Sequence, residues 1–336
     1  MASEFAMPKI VLALLLGALI AMPTSVVSMG VCYGMLGDNL PKPSEVISLY
    51  QSNGIDAMRL YNPNSDALTA LKGTNISLMV GVPNEELATF ASNASAAANW
   101  VQNNILAYEG VSFKYIAVGN ELMGENASNI LPAMHNIHNA ITSAGLQDRI
   151  KVSTSVRFDV LSETSPPSNA VFSSSHMGPV VQFLANTSGP LLVNIYPYFS
   201  YAYSNGDIPL DFALFTAPDA VVYDNEYQYN NLFDAMVDSV YYAMEKVGYS
   251  NVNIVVSESG WPSYGGVGTT IENAQIYNQN LINHSAYGTP KRPGNLETYI
   301  FAMFMENMKT GDEVERNFGL FYPDQSPVYT VNFNYT

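Results

Sequence analysis

The chain alternates between short apolar runs and longer segments with helical spacing, and this alternation limits the fold more than any other feature. Several runs are apolar on both alternating faces, as in the strands of a parallel sheet that is covered on both sides. Strands that alternate with helices favour an α/β fold, and eight of them predict a single (β/α)8 TIM barrel. The eight runs are residues 29–34, 56–61, 76–82, 115–121, 150–156, 191–198, 253–259 and 298–304.

The segments between the runs carry signals for the start and end of helices. PSEVISLYQSNG (43–54) and LPAMHNIHNAITSAG (131–145) have apolar residues at helical spacing, with Pro near the start and Gly at the end. Pro suits the first helical turn, and Gly suits the residue that ends a helix. No linker or low-complexity tract interrupts the alternation, so residues 29–336 are predicted to form one domain.

Residues 1–28 are expected to lie outside this domain. MASEFA is interpreted as an added leader, and Met7 is a plausible native start, followed by Lys9 and an apolar stretch over 10–21. This layout, closed by small residues just before Met29, is typical of a secretory signal peptide. The stretch is short for a membrane span, and no second one exists. The sequence therefore predicts a secreted protein without a membrane anchor, and it leaves the choice between extracellular space and vacuole open.

The charge balance bears on the class of partner. Thirteen basic residues face 29 acidic ones, which gives a net charge of -16. Nucleic-acid binding depends on basic patches that displace counterions, so a nucleic-acid partner is not expected. A neutral ligand fits this balance better.

Metal and cofactor sites are not expected. His135 and His138 lie three residues apart, but no third ligand accompanies them at a readable spacing. No glycine-rich phosphate loop is present. Cys32 is the only cysteine and has no disulfide partner, and its apolar surroundings predict a small buried side chain.

Two of the predicted strands end on a glutamate. NIVVSES (253–259) carries Glu258, and YIAVGNE (115–121) carries Glu121 directly after Asn120. Because the carboxyl ends of the strands form the functional face of such a barrel, the two carboxylates could face each other across a cleft. Glycoside hydrolysis uses such a pair, in which one carboxyl donates a proton and the other attacks the sugar or activates water. From position alone, either glutamate could equally cap a helix or make a structural ion pair.

The amino-acid sequences of these segments resemble those of glycoside hydrolase family 17, the plant endo-β-glucanases. The resemblance extends from Met29 to Phe333, with its segments in family order. The segments that carry it are GVCYGMLGDNLP, IAVGNEL, LPAMHNIHNAITSAGLQDRIKVSTS, LLVNIYPYFSY, NLFDAMVDS, VVSESGWPS, TPKRPG, ETYIFAMF and NFGLFYPD.

The resemblance implies roles for residues at two strand ends. Glu258 would be the nucleophile and Glu121 the proton donor, which requires a raised pKa at Glu121. Asn120 would bind the sugar 2-hydroxyl, and Tyr196 would hold and polarise Glu258. Trp261, followed by proline, would fix the turn behind the nucleophile.

The same resemblance suggests further residues of the substrate cleft. IYPYFSYAY (195–203) supplies five aromatic residues that could stack on the apolar faces of sugars. Tyr33, Phe199 and Phe321 are further candidates, although ordinary core packing explains any one ring equally well. Glu297 and Glu306 flank the last predicted strand and are expected to support the site.

Four residues depart from the pattern of the family. Arg157 and Phe158 stand where an aspartate is usual, Asn62 replaces the aspartate of YDPN, and Met305 replaces an aspartate or asparagine. These departures leave Glu121 and Glu258 intact and bear on substrate preference.

The expectation is a monomeric, secreted, retaining endo-hydrolase of β-1,3-glucan that needs no cofactor. Two alternatives stay open. The first is a mixed-linkage β-1,3-1,4-glucanase, which would have the same fold and the same two glutamates. The second is a wall or pollen protein that binds β-glucan and has weak activity.

Overall fold

The computed structural model describes residues 29–333, so the predicted leader and signal peptide lie outside the described residues. The strands are β1 (Met29–Cys32), β2 (Ala57–Leu60), β3 (Ser77–Val82), β4 (Ser112–Asn120), β5 (Lys151–Arg157), β6 (Leu161–Ser162), β7 (Val171–Phe172), β8 (Leu191–Asn194), β9 (Val222–Asp224), β10 (Tyr227–Tyr229), β11 (Ile254–Ser259) and β12 (Thr298–Ile300). Eight parallel strands close into a barrel in the order β1-β12-β11-β8-β5-β4-β3-β2, and two short antiparallel hairpins, β6 with β7 and β9 with β10, lie outside it.

Helices connect the strands of the barrel. Their bounds are α1 (Pro43–Ser52), α2 (Ser65–Leu71), α3 (Leu87–Ser92), α4 (Ala94–Val101), α5 (Ile130–Ser143), α6 (Met177–Thr187), α7 (Pro197–Ala202), α8 (Leu210–Ala213), α9 (Leu232–Lys246) and α10 (Ile271–His284). None of the helices between Met29 and Phe333 combines the length and the apolarity that crossing a bilayer requires.

The two helices read from the sequence are present. Helix α1 begins at Pro43, and Gly54, two residues after the helix ends, has a φ of 71°. Helix α5 is followed in the same way by Gly145, also with a φ of 71°. Glycine adopts this left-handed conformation without the steric penalty that a side chain would bring, which explains why both helices stop there.

Each of the eight predicted strands corresponds to one strand of the barrel, so the predicted (β/α)8 fold is confirmed. The predicted and observed strands differ only in where they begin and end. The run 191–198 leaves the sheet after Asn194, because Pro197 begins helix α7. The run 298–304 leaves it after Ile300. All four residues of β1 and all six of β11 are buried, as expected for strands that pack on both faces.

Candidate active site

A cavity of about 840 Å³ opens at the carboxyl ends of the barrel strands. Its size suits a ligand larger than one sugar ring. Six of the residues predicted from the sequence line it, namely Asn120, Glu121, Tyr196, Phe199, Glu258 and Glu306.

Glu258 lies near the end of β11 and is held by three donors. The pairing of β11 with β8 shifts register just before Glu258, an irregularity that re-aims the side chains beyond it. Arg59 Nη1 and the Tyr61 hydroxyl donate to Oε1, each at 2.8 Å, and the Tyr196 hydroxyl donates to Oε2 at 2.7 Å. These bonds fix the orientation of the carboxylate, and the predicted contact with Tyr196 is present.

The ion pair between Arg59 and Glu258 is almost fully buried, with 2% and 8% of the two side chains exposed. A buried carboxylate without a cation is costly, and removing one partner of such a pair typically costs about 3–5 kcal/mol. Arg59 also donates to Asn120 Oδ1 at 2.7 Å and to the carbonyl of Ser257 at 2.9 Å. The guanidinium therefore fixes the nucleophile candidate and its neighbours in one network.

Glu121 follows the last residue of β4 and has a φ of 55°, a left-handed conformation that is rare outside glycine. Its backbone N–H donates to the carbonyl of Ser155 at 2.8 Å. Burial, followed by the negative charge of Glu258, raises the pKa of Glu121, while the hydrogen bond from Asn194 opposes the rise. A carboxyl in this environment retains its proton to higher pH than an exposed glutamate does.

Asn194, at the end of β8, bonds to both strand ends that carry the glutamates. Its carbonyl accepts hydrogen bonds from the hydroxyls of Ser155 and Ser257 and from Arg59. Because these donors fix the carbonyl, the amide is turned towards Glu121 Oε1, to which it donates at 2.8 Å.

Asn120 presents a free donor to the cavity. Its side-chain carbonyl accepts from Arg59 and Asn194, and its backbone is bound on both sides by Asn84 at 2.8 Å. Among residues 29–333, no group accepts a hydrogen bond from the Asn120 side-chain amide. That amide can therefore donate to a ligand hydroxyl.

Glu306 lines the same cavity, although only 3% of the residue is exposed. Leu36 N donates to its Oε1 at 2.8 Å. Burial raises the pKa of Glu306, and the Leu36 bond and the charge of Lys309 oppose that rise. A Cβ on Gly34 would lie 2.4 Å from the carboxylate oxygens, so a side chain at position 34 would displace the Glu306 carboxylate.

Three predicted aromatic residues are buried in the core and do not line the cavity. Tyr33 packs edge-on against Phe304, and Phe321 is 8% exposed. Trp261 is fully buried and donates from Nε1 to the carbonyl of Gly268 at 3.0 Å. In this structure their roles are in packing, and Trp261 supports the chain directly behind Glu258.

The expectation for Glu297 was wrong. Glu297 precedes β12, at the amino end of the barrel, whereas the cavity lies at the carboxyl end. Its carboxylate accepts hydrogen bonds from Lys114, Tyr115 and Tyr299. The sequence shows that Glu297 and Glu306 flank one strand, but a strand has two ends, and only the glutamate that follows it reaches the site.

Arg59, Tyr61 and Asn194 belong to the site but were not predicted. The run DAMRLY places an arginine inside an apolar strand, and a buried arginine requires an acidic or amide partner. LLVNIYPY likewise ends its apolar stretch on Asn194. Both signals are visible in the sequence, but they do not reveal which groups across the barrel these side chains meet.

Three of the four departures from the family pattern line the cavity, namely Asn62, Arg157 and Phe158. Arg157 is half exposed and pairs with Asp159 at 2.7 Å. The departures therefore lie on the surface that a substrate would touch, and none of them donates to Glu258.

The two paired histidines lie on α5 and pack edge-on against Phe183, with ring centroids 4.9 Å (His135) and 5.5 Å (His138) away. Across the part of the chain that the structure describes, no group of three His, Cys, Asp or Glu side chains could hold a metal ion.

The sequence profile of "Glycosyl hydrolases family 17" matches residues 29–333, the whole of the described chain. The chain belongs to glycosyl hydrolase family 17. Family 17 is a family of retaining glycosidases, whose products keep the anomeric configuration of the substrate. Two glutamates at the carboxyl ends of β4 and β11 agree with that chemistry.

Similar family 17 proteins come from plants. A glucan endo-1,3-beta-glucosidase (acidic isoform) of Zea mays is 56% identical over 324 residues, which cover 96% of each chain. Lichenase-2 of Hordeum vulgare is 53% identical over 314 residues, 93% of this chain and 100% of its own. A solved structure described as "two plant beta-glucan endohydrolases with distinct substrate specificities" has a TM-score of 0.89 at 53% identity and covers 90% of this chain and 100% of that chain.

Proposed function

We propose that the protein is a retaining endo-hydrolase of β-1,3-glucan in which Glu258 is the nucleophile and Glu121 the acid and base. One observation carries this proposal: two carboxyls in one cleft have opposite environments. Three donors surround Glu258, one of them the buried guanidinium of Arg59, and they stabilise negative charge on its carboxylate. Burial and the charge of Glu258 raise the pKa of Glu121, which favours its protonated form.

In the first step, the Glu258 carboxylate attacks the anomeric carbon and forms a glycosyl ester. Glu121 gives its proton to the glycosidic oxygen as that bond breaks, so the departing sugar leaves as a neutral alcohol. The new ester is neutral, so the part of the rise in the pKa of Glu121 that the charge of Glu258 caused is lost. Glu121, which has just given up its proton, therefore stays ionised and can accept a proton in the next step.

In the second step, Glu121 takes a proton from water while the water oxygen attacks the anomeric carbon. The bond to Glu258 breaks, and the electron pair returns to the carboxylate, where Arg59, Tyr61 and Tyr196 are already in place to receive it. Two inversions leave the product in the configuration of the substrate.

Asn120 and the aromatic residues of the cleft bind the sugar in this proposal. The free amide of Asn120 donates to the 2-hydroxyl, a contact that strengthens in the transition state. Phe199, which packs against Tyr196 with ring centroids 5.4 Å apart, offers an apolar surface for a sugar ring.

The choice of substrate rests on the relatives, most directly on the glucan endo-1,3-beta-glucosidase of Zea mays. Reducing-sugar release from laminarin and from lichenan, measured in parallel, tests it. We expect faster release from laminarin, with oligosaccharides of several lengths among the first products. Faster release from lichenan would favour a mixed-linkage enzyme, and binding without release would favour a β-glucan-binding protein.

The proposal includes a mature protein that acts outside the cytosol, in the extracellular space or the vacuole, as a monomer without a cofactor. The apolar stretch over 10–21 supports cleavage near Met29, which would leave residues 29–336 as the catalytic domain. The intact mass of protein secreted from a plant host would test this boundary. Size-exclusion chromatography and activity in EDTA would test the other two points.

A further inference from the structure

Tyr203 lies at the mouth of the cavity and directly follows helix α7. It is 69% exposed. One face of its ring is parallel to Phe199, with 12° between the planes and 6.1 Å between the centroids. The four-residue spacing places both rings on one side of the helix, so the stack is built into the local structure.

The ring of Phe199 is itself fixed from behind. Its centroid lies 5.4 Å from that of Tyr196, 5.2 Å from that of Tyr198 and 6.1 Å from that of Phe318. Tyr203 therefore rests on a packed aromatic cluster and does not depend on a mobile neighbour. An aromatic surface held in this way loses little conformational freedom when a ligand binds to it.

A continuous line of contacts leads from the nucleophile candidate to Tyr203. The Tyr196 hydroxyl donates to Glu258 at 2.7 Å, Tyr196 packs against Phe199, and Phe199 stacks on Tyr203. All four side chains line the same cavity. A glucan chain with one unit at Glu258 could therefore extend along these rings to the solvent edge.

Tyr203 retains free groups for a ligand. Within residues 29–333, no group forms a hydrogen bond with its hydroxyl, and only one face of its ring is covered by Phe199. Glucose presents apolar C–H faces and hydroxyl edges, which match an open ring face with a hydroxyl at its rim.

We propose that Tyr203 forms a distal binding subsite that holds a glucosyl unit of the β-1,3-glucan chain, away from the bond that is cleaved. This inference rests on the proposed function and deepens it, because it assigns part of the preference for long chains to one side chain. Tyr203 is a substrate-binding residue in this proposal and takes no part in the chemical steps.

Laminari-oligosaccharides of three to eight glucose units test the proposal, with kcat and KM measured for each length. The variants are Tyr203→Ala, Tyr203→Phe and, as a matched control, Tyr287→Ala. Tyr287 is 68% exposed, as Tyr203 is, but lies outside the lining of the cavity. Thermal unfolding of each variant checks that the fold is kept, which the exposure of both positions favours.

We expect Tyr203→Ala to raise KM for the longest oligosaccharides about three- to tenfold, with kcat and the shortest oligosaccharide unchanged. Tyr203→Phe keeps the ring and lacks only the hydroxyl, so its KM should rise less than that of Tyr203→Ala, and Tyr287→Ala should match the wild type at every length. Equal kinetics of Tyr203→Ala and wild type at all lengths, or an equal loss at all lengths, would refute the subsite alone. A wild-type protein that is inert on every oligosaccharide would refute the proposed function and the subsite with it.

Discussion

The side-chain amide of Asn194 donates a hydrogen bond to Glu121 Oε1 at 2.8 Å. The same amide lies 3.1 Å from Asn120 Oδ1, so one side chain orients both residues at the end of β4. A donor on the ionised carboxylate lowers the pKa of Glu121 and so limits the rise that burial and Glu258 produce. Asn194 thereby influences how readily Glu121 releases its proton.

Replacement of Asn194 with alanine should move the alkaline limb of the pH–activity profile to higher pH. The lost bond favoured ionised Glu121, so its pKa rises further and the acid keeps its proton longer as the pH increases. We also expect kcat to fall about tenfold or more, because the orientation of Asn120 and Glu121 is lost. The profiles of kcat and of kcat/KM on laminarin measure both effects. A range from about pH 3 to about pH 9 covers the titration of carboxyl groups with shifted pKa values.

Ser257→Ala is the matched control for this variant. It removes one donor to the Asn194 carbonyl, at 2.8 Å, without removing a bond to Glu121. Its alkaline limb should stay where that of the wild type lies. An unchanged limb in Asn194→Ala would contradict the role given to this amide.

Replacement of Glu121 with glutamine should abolish the alkaline limb for an aryl glycoside whose leaving group needs no proton. The amide does not titrate, so raising the pH no longer removes a proton that departure requires. On laminarin, where the leaving sugar needs that proton, activity should fall about 10²- to 10⁴-fold. If the alkaline limb persisted on the aryl glycoside, another carboxyl would be the acid, and Glu306, which lines the same cavity, would be tested next.

The strands could be predicted because a barrel strand buries both faces and so reads as an apolar run, as Ile254-Val255-Val256 does. Such a run does not reveal whether a given side chain faces the core or the cavity. Tyr33 and Phe321 look like sugar-binding residues in sequence, yet they are buried and do not line the cavity. In the sequence, Arg59 is only a single charged residue within an apolar strand. In the structure it links three other strands through hydrogen bonds to Asn120, Asn194 and Glu258.

Asp238 on α9 should make the folding free energy depend on pH. It is fully buried, and burial raises its pKa to about 6 even though Tyr229, Thr289 and Lys291 donate to it. A carboxyl with a raised pKa contributes stability that is present below its unfolded pKa, near 3.8, and is lost as the pH rises through about 6.

Between these two pKa values, the titration of Asp238 lowers the free energy of unfolding by about 3 kcal/mol. Asp238→Asn removes the titration, so its unfolding free energy should fall less steeply between about pH 4 and pH 7 than that of the wild type. Urea unfolding across this range measures the slope, which is independent of any constant offset that the substitution causes. Parallel slopes for the two proteins would refute the assignment.

The anomer released first from laminari-oligosaccharides should be the β-anomer. Attack by Glu258 and then by water inverts the anomeric carbon twice, whereas direct attack by water inverts it once. Proton NMR in the first minutes, before mutarotation mixes the anomers, distinguishes the two. Initial release of the α-anomer would mean that Glu258 activates water and forms no ester.

The reaction of Glu258→Ala in the presence of azide tests the central assignment most directly, with an aryl β-glycoside as substrate. Without azide, activity should fall by more than about a thousandfold, because no group remains to form the ester. Azide should restore activity by entering the space of the lost carboxylate and attacking from that side, which gives an α-glycosyl azide after a single inversion. A variant that keeps activity within about tenfold of the wild type, or one that yields the β-glycosyl azide, would contradict the assignment of Glu258 as the nucleophile.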